Sequence, residues 1–295
     1  MAFFARRMLE IEPKSEYADV LELEVFNGIL SGMALDGKSF FYVNPLEVNP
    51  VACRKDERKF HIKPVRQKWF GCACCPPNLA RFLSSIGSYA YTENENTLFT
   101  HLYVGGNLKK TTKGSVVDIK VESDFPWNGK ASFNISNAAS DFVLALRIPG
   151  WCNGKYSLNG FDGEIKTRDG YIYLSKEWSN NETISIEFPM EVKVMNSNLN
   201  VRENIGKVAL MRGPVVYCLE EFDNGSDLHL LMLDASSKFA IENIEINSNK
   251  AKRIICSGKR YEKKESEALY FDDGTYSLID TKLSYIPYYM WANRG

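Results

Sequence analysis

The sequence predicts an α + β protein of several domains: a helical N-terminal part followed by two antiparallel β-sandwich domains. Its 295 residues, 44% of them hydrophobic, are enough to build more than one core. Apolar residues recur at helical spacing up to about residue 90, and beyond Tyr91 they alternate with period two. The expected domains are therefore residues 1–90, 91–196 and 197–295.

The apolar spacing between Ala2 and Met33 predicts two helices, and Pro13 marks the break between them. The first helix would begin at Met1 without a capping side chain before it, which is unusual for the start of a domain. Asp36 and Gly37 then predict a turn into a short extended segment.

The extended segment ends at Asn44-Pro45, and the polar stretch that follows, up to Lys68, is predicted to be a loop. Helical spacing returns after Pro76 and Pro77. Both prolines suit the first turn of a helix, where backbone N–H groups have no partner within the helix.

The rest of the chain consists of short alternating runs separated by Gly, Asn and Asp, which is typical of antiparallel sandwiches. A second group of strands is expected from about Arg202 onward. The runs are NTLFTHLYVGG, SVVDIKVESDF, DFVLALRIPGW, GYIYLSKEW and ETISIEFPMEVKV, then GKVALMRGPVVYCLE, LHLLMLDA, FAIENIEIN and IPYYMWANRG.

The charges argue against two classes of partner. The 36 basic and 37 acidic residues nearly cancel and are mixed along the chain, so no basic stripe is available for nucleic acid or for an anionic membrane. Arg6 and Arg7 interrupt the apolar N-terminal residues, which argues against a signal peptide or a membrane span. The odd number of cysteines indicates reduced thiols, and we expect a cytoplasmic protein.

The segment CACCPPN places three cysteines directly before a predicted helix. A helix N-terminus favours the thiolate form, so Cys74 and Cys75 are candidate nucleophiles or metal ligands. Adjacent thiolates repel each other, which makes a zinc ion a plausible companion, although this stretch supplies at most three of four ligands. Two alternatives are small buried side chains and a thiol redox pair. Burial is the default for the remaining cysteines, Cys53, Cys152, Cys218 and Cys256.

Six segments follow one another along the chain: FFYVNPLE, CACCPPNLAR, HLYVGG, LRIPGW, VALMRGPVVYCLE and IPYYMWANRG. Taken in this order, they resemble glycoside hydrolase family 127, whose characterised activity is β-L-arabinofuranosidase. The resemblance covers essentially the whole chain, and the cysteine motif is its most diagnostic part. It implies that the helical part is the remnant of an (α/α)6-barrel catalytic domain, followed by the β-sandwich domains.

The resemblance also implies roles for particular residues. Cys74 would be the nucleophile of a retaining glycosidase, and Cys74 and Cys75 would both bind zinc. Tyr42 would contact the sugar, although a tyrosine packed at a strand end is an equally good reading of its position. Cys72 has no implied ligand role, and packing is the expectation for it. The substrate would be an oligosaccharide or glycoconjugate that carries L-arabinofuranose.

By the same resemblance, the acid/base glutamate and a Glu-x-Cys zinc pair would lie upstream of Met1. The expectation is then a fragment that is inactive alone, with a separately encoded upstream half or a second copy of the chain as partner. Glu47 and His61 are poor substitutes for the missing acid, because isolated side chains of these types are usually solvated.

An alternative function is a sugar-binding or interaction module formed by the two β domains. Aromatic side chains on its surface could stack on sugar rings, whereas aromatics in such runs more often belong to the core. The candidates are Trp127, Trp151, Trp178, Tyr171 and Tyr173.

Overall fold

The computed structural model describes residues 1–56, 61–72, 74–112, 114–137, 140–234, 236–262, 269–270 and 276–294. It confirms a mixed α and β protein in which strands dominate. Its contacts divide the chain into two compact units. The first unit comprises Met1–Leu30, Gly71–Glu191 and Arg212–Val215, and the second comprises Ser31–Phe70, Val192–Met211 and Val216–Gly295.

The helices of the described residues lie mostly in the first third of the chain, and the break at Pro13 is confirmed. A π-helical turn over Glu24–Ile29 continues the second helix, and a 3-10 turn over Leu30–Gly32 follows it. The α-helices are α1 Ala2–Ile11, α2 Ser15–Leu23, α3 Pro50–Lys55, α4 Cys75–Ser84, α5 Gly87–Ala90 and α6 Glu221–Asn224. Across the described residues, no helix combines the length and apolar character needed to cross a bilayer.

Helix α3 lies inside the stretch predicted to be a loop, so that prediction was wrong at this point. The side chain of Asn49 accepts hydrogen bonds from the N–H groups of Val51 and Ala52, both at 3.0 Å. Pro50 occupies the first turn. An Asn cap followed by proline is a helix-start motif that the sequence contains.

The helices of the first unit bury one shared apolar face. Leu21 of α2 and Phe82 of α4 are at most 1% exposed, and Phe82 packs against Tyr89 with ring centroids 4.8 Å apart. Ala5 and Leu9 of α1 belong to the same cluster. This cluster fixes the direction of α4, and with it the position of the cysteines at its start.

Two five-stranded sheets follow in the first unit and enclose one core. The first sheet has the order β1-β2-β6-β9-β8 and the second has the order β3-β4-β5-β10-β7. Strands β2 and β6 run parallel, so the first sheet is not purely antiparallel as predicted. The strands are β1 Tyr91–Glu93, β2 Thr97–Thr100, β3 Gly106–Thr112, β4 Ser115–Ser123, β5 Lys130–Ser136, β6 Ser140–Arg147, β7 Ser157–Asn159, β8 Glu164–Arg168, β9 Tyr171–Trp178 and β10 Glu182–Glu187.

Period-two alternation explains how the sandwich core forms. On β5, Ala131, Phe133 and Ile135 are at most 1% exposed, while the residues between them are half-buried. Leu144 of β6 and Ile184 of β10 are fully buried in the same cluster. Side chains from both sheets therefore meet in a single apolar layer.

The aromatic side chains considered as a sugar-stacking surface do not form one. Trp178 and Tyr171 are at most 1% exposed, and Trp151 packs against the sandwich core. Trp127 and Tyr173 are half-buried. The alternative that these side chains belong to the core is therefore correct for Trp178, Tyr171 and Trp151.

The described C-terminal strands form one seven-stranded sheet instead of a second sandwich. Its order is β11-β12-β13-β17-β16-β14, and β15 also pairs with β16. Strand β16, the longest, was not predicted. The strands are β11 Val192–Asn196, β12 Val208–Arg212, β13 Val215–Leu219, β14 Leu231–Leu233, β15 Ala240–Ile246, β16 Asn249–Tyr261 and β17 Leu278–Pro287.

Candidate active site

The cysteine cluster lies at the N-terminal end of α4, as the sequence predicts. Cys74 is the residue before the helix, Cys75 is the first helical residue, and Pro76 and Pro77 fill the first turn. Asn78 donates from Nδ2 to the carbonyl oxygen of Cys74 at 2.9 Å. This bond ties the backbone of Cys74 to the helix.

The thiols of Cys74 and Cys75 are neighbours in space as well as in sequence. Their Sγ atoms are 3.8 Å apart. Cys74 and Cys72 are exposed and Cys75 is half-buried, so none of the three belongs to a core. The expectation that Cys72 is a packing residue was therefore wrong.

Hydrogen bonds between Cys72 and Cys74 shift the pKa values of these two thiols in opposite directions. The backbone N–H of Cys74, together with its thiol, stabilises the thiolate of Cys72 and lowers the pKa of Cys72. The same contact with Cys72, followed by the contact with Cys75, raises the pKa of Cys74 to about 11. The pKa of Cys74 is therefore raised in the metal-free chain, whereas the sequence analysis expected the helix start to lower it.

The spacing of the two sulfurs tests whether a zinc ion fits. Zn–S bonds of about 2.3 Å at a tetrahedral angle place two sulfurs roughly 3.8 Å apart, and the Sγ atoms of Cys74 and Cys75 have a separation of 3.8 Å. The described residues contain no group of three or more His, Cys, Asp and Glu side chains arranged to hold a metal. The two thiols therefore fit part of a zinc ligand set, and the described residues do not complete it.

Tyr42 lies in the second unit, in the segment Ser31–Phe70. Its side chain is 41% exposed. Its ring centroid is 5.7 Å from that of Phe70 and 6.4 Å from that of His61, which it meets edge to face. The Tyr42 ring is thus in contact with two other rings and remains partly exposed to solvent.

Glu47 and the cysteines outside the CACC segment were not predicted to be site residues, and their environments agree with that prediction. The Glu47 side chain is 70% exposed and pairs with Lys207 at 3.0 Å. All seven cysteines are free thiols; Cys53, Cys152 and Cys256 are buried and Cys218 is half-buried. Burial raises the pKa of Cys256 to about 11, which keeps this thiol protonated and unreactive at neutral pH.

A buried polar network in the first unit escaped the sequence analysis. Arg147 of β6 is 0% exposed and lies 2.6 Å from Asp19 and 2.5 Å from Glu22, both on α2. Trp151 donates from Nε1 to Glu22 at 2.8 Å. The only sequence feature that could have suggested it is the pair of carboxylates on one side of α2, three residues apart.

Family comparisons agree with the order of elements described above. Three domain profiles of glycoside hydrolase family 127 match the chain in succession. The β-L-arabinofuranosidase catalytic domain matches residues 1–88, the middle domain matches residues 97–190, and the C-terminal domain matches residues 192–295.

Individual relatives match over the whole chain. A non-reducing end β-L-arabinofuranosidase of Bifidobacterium longum subsp. longum is 37% identical over 100% of this chain and 46% of its own length. The crystal structure of a family 127 β-L-arabinofuranosidase from Geobacillus stearothermophilus T6 superposes with a TM-score of 0.92 at 43% identity, over 100% of this chain and 47% of that one. A family 127 β-arabinofuranosidase structure superposes with a TM-score of 0.87 at 30% identity, over 100% and 46% respectively.

These matches show that the chain is related to glycoside hydrolases. The chain belongs to glycoside hydrolase family 127. It spans about half the length of the relatives it matches.

Proposed function

We propose that this chain carries the nucleophile of a retaining β-L-arabinofuranosidase, and that the nucleophile is Cys74. The observation that carries the proposal is the thiol pair at the start of α4, of which Cys74 is exposed, in a chain whose full length aligns with a relative named for this activity. By the family resemblance, residues 1–90 would be part of an (α/α)6-barrel domain. The stretches 91–196 and 197–295 would be the β domains that follow.

In the proposed reaction, the Sγ of Cys74 attacks the anomeric carbon of an arabinofuranosyl group as the bond to the leaving oxygen breaks. An acid protonates that oxygen, and the sugar remains attached to sulfur. Water then displaces the sulfur, and the same group, now a base, accepts the proton of the water. Two displacements at one carbon retain its configuration.

Zinc is the proposed cofactor, and Cys74 and Cys75 are the residues of this chain that would hold it. When bound, zinc favours the thiolate over the thiol. The 3.8 Å separation of the two Sγ atoms supports this assignment. The family resemblance assigns the remaining ligands and the acid/base glutamate to another part of the longer relatives. That part precedes the region aligned with this chain.

Turnover is therefore proposed to need a second polypeptide segment, and the chain alone should hydrolyse little. Tyr42 is the proposed sugar contact, because its exposed ring is backed by Phe70 and His61. The proposed substrate is an oligosaccharide or glycoconjugate ending in L-arabinofuranose. The proposed location is the cytoplasm, which the free thiols support.

The decisive experiment measures hydrolysis of an aryl β-L-arabinofuranoside by the chain alone and by the chain mixed with the upstream half of a longer relative. Activity should arise only in the mixture, and Cys74→Ser should abolish it, while Cys72→Ser serves as the matched control. Mass spectrometry should detect one pentosyl group on the peptide that contains Cys74. Full turnover by Cys74→Ser in the mixture would refute the nucleophile assignment.

A further inference from the structure

Arg66 is a buried cation in the second unit whose resolved hydrogen-bond partners are all backbone carbonyls. Arg66 is only 7% exposed. The guanidinium donates to the carbonyl oxygens of Trp291 at 2.5 Å, Ala292 at 3.3 Å, Ser31 at 2.8 Å and Tyr289 at 3.3 Å. Burial lowers the pKa of Arg66 to about 10, which still leaves it charged at neutral pH.

These four carbonyls belong to the ends of two 3-10 turns. Ser31 lies in the turn Leu30–Gly32, and Tyr289 lies in the turn Tyr288–Met290, which Trp291 and Ala292 follow. Carbonyls at the end of a helical turn lack partners within the turn and carry partial negative charge. One guanidinium therefore caps both turns and joins a segment near residue 31 to the C-terminal segment.

Arg66 also holds the residue next to Tyr42. Its guanidinium carbon lies 4.5 Å from the ring centroid of Phe41. The Phe41 ring also stacks on Trp291, with 4.5 Å between centroids and an interplanar angle of 9°. The Phe41 ring, 3% exposed as a residue, is thus fixed in the second unit by a cation and an aromatic plane.

The backbone reinforces this arrangement. Phe40 and Gln67, the residues that precede Phe41 and follow Arg66, exchange two N–H to carbonyl hydrogen bonds of 2.9 Å. The N–H of Phe41 donates to the carbonyl of Gly32 at 2.7 Å. These hydrogen bonds fix the backbone of Phe40 and Phe41, which directly precede Tyr42. Tyr42 itself remains 41% exposed.

We propose that Arg66 is a positioning residue for Tyr42: by capping two turns and clamping Phe41 it fixes the backbone that presents the Tyr42 ring to the sugar. This inference rests on the proposed sugar contact of Tyr42. It also makes the C-terminal segment, through Trp291 and the carbonyls near it, a contributor to sugar recognition. The segment Ser31–Phe70 and the C-terminal strands belong to one compact unit.

The test places 3-fluorotyrosine at position 42 of the full 295-residue chain and records its fluorine NMR signal with and without methyl β-L-arabinofuranoside. Arg66→Lys keeps the charge but removes the planar fork. It is expected to move the signal toward that of free 3-fluorotyrosine and to weaken sugar binding by up to about a hundredfold, the effect that a misplacement of about 1 Å can have. Arg253→Lys is the matched control, because Arg253 pairs with Glu242 and has no contact with this segment among those described.

An unchanged signal and unchanged sugar affinity in Arg66→Lys would overturn the inference. If Arg66→Lys does not fold, Trp291→Leu tests the same point, because it removes the plane behind Phe41 and keeps the backbone carbonyls. It should shift the signal in the same direction, and an unshifted signal would again overturn the inference. The contact proposed for Tyr42 would be refuted if the signal of the chain without substitution at Arg66 did not respond to sugar. The effect of Arg66→Lys on the signal without sugar reports on the positioning alone.

Discussion

Arg147 and Glu22 form an ion pair from which solvent is almost entirely excluded. The Nη2 atom of Arg147 lies 2.5 Å from Oε1 of Glu22, and the two side chains are 0% and 1% exposed. The pair joins strand β6 to helix α2 within the first unit. Desolvating two charges is costly, so such a pair adds little net stability, but removing one partner leaves an uncompensated buried charge. The pair therefore specifies how α2 sits on the sandwich.

Replacing Arg147 by methionine should destabilise the chain by about 3–5 kcal/mol, because Glu22 would stay buried without its cation. The double variant Arg147→Met with Glu22→Leu should recover much of that loss, since neither charge of the pair remains and Asp19, which also loses Arg147, is 29% exposed. Urea unfolding of both single variants and the double variant measures the coupling in a double-mutant cycle. Additive effects of the two substitutions would show that the pair does not act as a unit.

His101 should make the first unit sensitive to acid. Its ring nitrogens are bonded to Thr92 and Tyr171, both at 2.7 Å, and burial, with the nearby charge of Arg147, lowers the pKa of His101 to about 3. Between this value and the unfolded pKa near 6.5, the unfolded state binds one more proton. Stability should therefore fall as pH falls through this window, by roughly 1.4 kcal/mol per pH unit.

Comparison with His101→Gln isolates this effect, because the variant has no imidazole to protonate. Burial raises the pKa of Glu22, which opposes the loss of stability at acid pH and is common to both proteins. Unfolding free energies measured from pH 7 to pH 4 should fall more steeply for the unsubstituted chain. Equal slopes would mean that the folded state tolerates a charged His101.

Gly129 occupies a place where no side chain fits. A Cβ added there would lie 2.1 Å from the carbonyl oxygen of Phe188, and Phe188 donates its own N–H to the carbonyl of Gly129 at 2.8 Å. Gly129→Ala should therefore destabilise the sandwich by about 1–3 kcal/mol, the range of overpacked sites. Gly106→Ala is the control, since nothing lies within 4 Å of its Cβ position. Thermal unfolding of both variants should show a lower midpoint for Gly129→Ala only.

Local sequence patterns predicted the elements whose cause is local. Pro13 ends α1, Pro76 and Pro77 start α4, and period-two alternation identifies strands such as β5. These features depend on backbone geometry and on one buried face, both of which can be read from residues a few positions apart. The cysteines at the start of α4 were located for the same reason.

Features that depend on distant residues could not be predicted in this way. Strand β16 buries Ile254, Ile255 and Cys256 in succession, so its alternation is lost. The hydrogen-bond partners of Arg66 near the C-terminus are backbone carbonyls more than 220 positions away. Every residue has a backbone carbonyl, so the residue types do not indicate which ones bind Arg66. The opposite pKa shifts of Cys72 and Cys74 were likewise missed, because they follow from hydrogen bonds between the two residues.

The thiols at the start of α4 should differ in reactivity in the metal-free chain. The backbone N–H of Cys74, with its thiol, lowers the pKa of Cys72, and contacts with Cys72 and Cys75 raise the pKa of Cys74 to about 11. Iodoacetamide reacts with thiolates, so at pH 7.5 Cys72 should be alkylated faster than Cys74 although both are exposed. Peptide mass spectrometry over time measures both rates. Added zinc should slow alkylation of Cys74 and Cys75, whose Sγ separation suits the ion, far more than that of Cys72. Equal protection of all three thiols would mean that zinc binds the segment without selecting this pair.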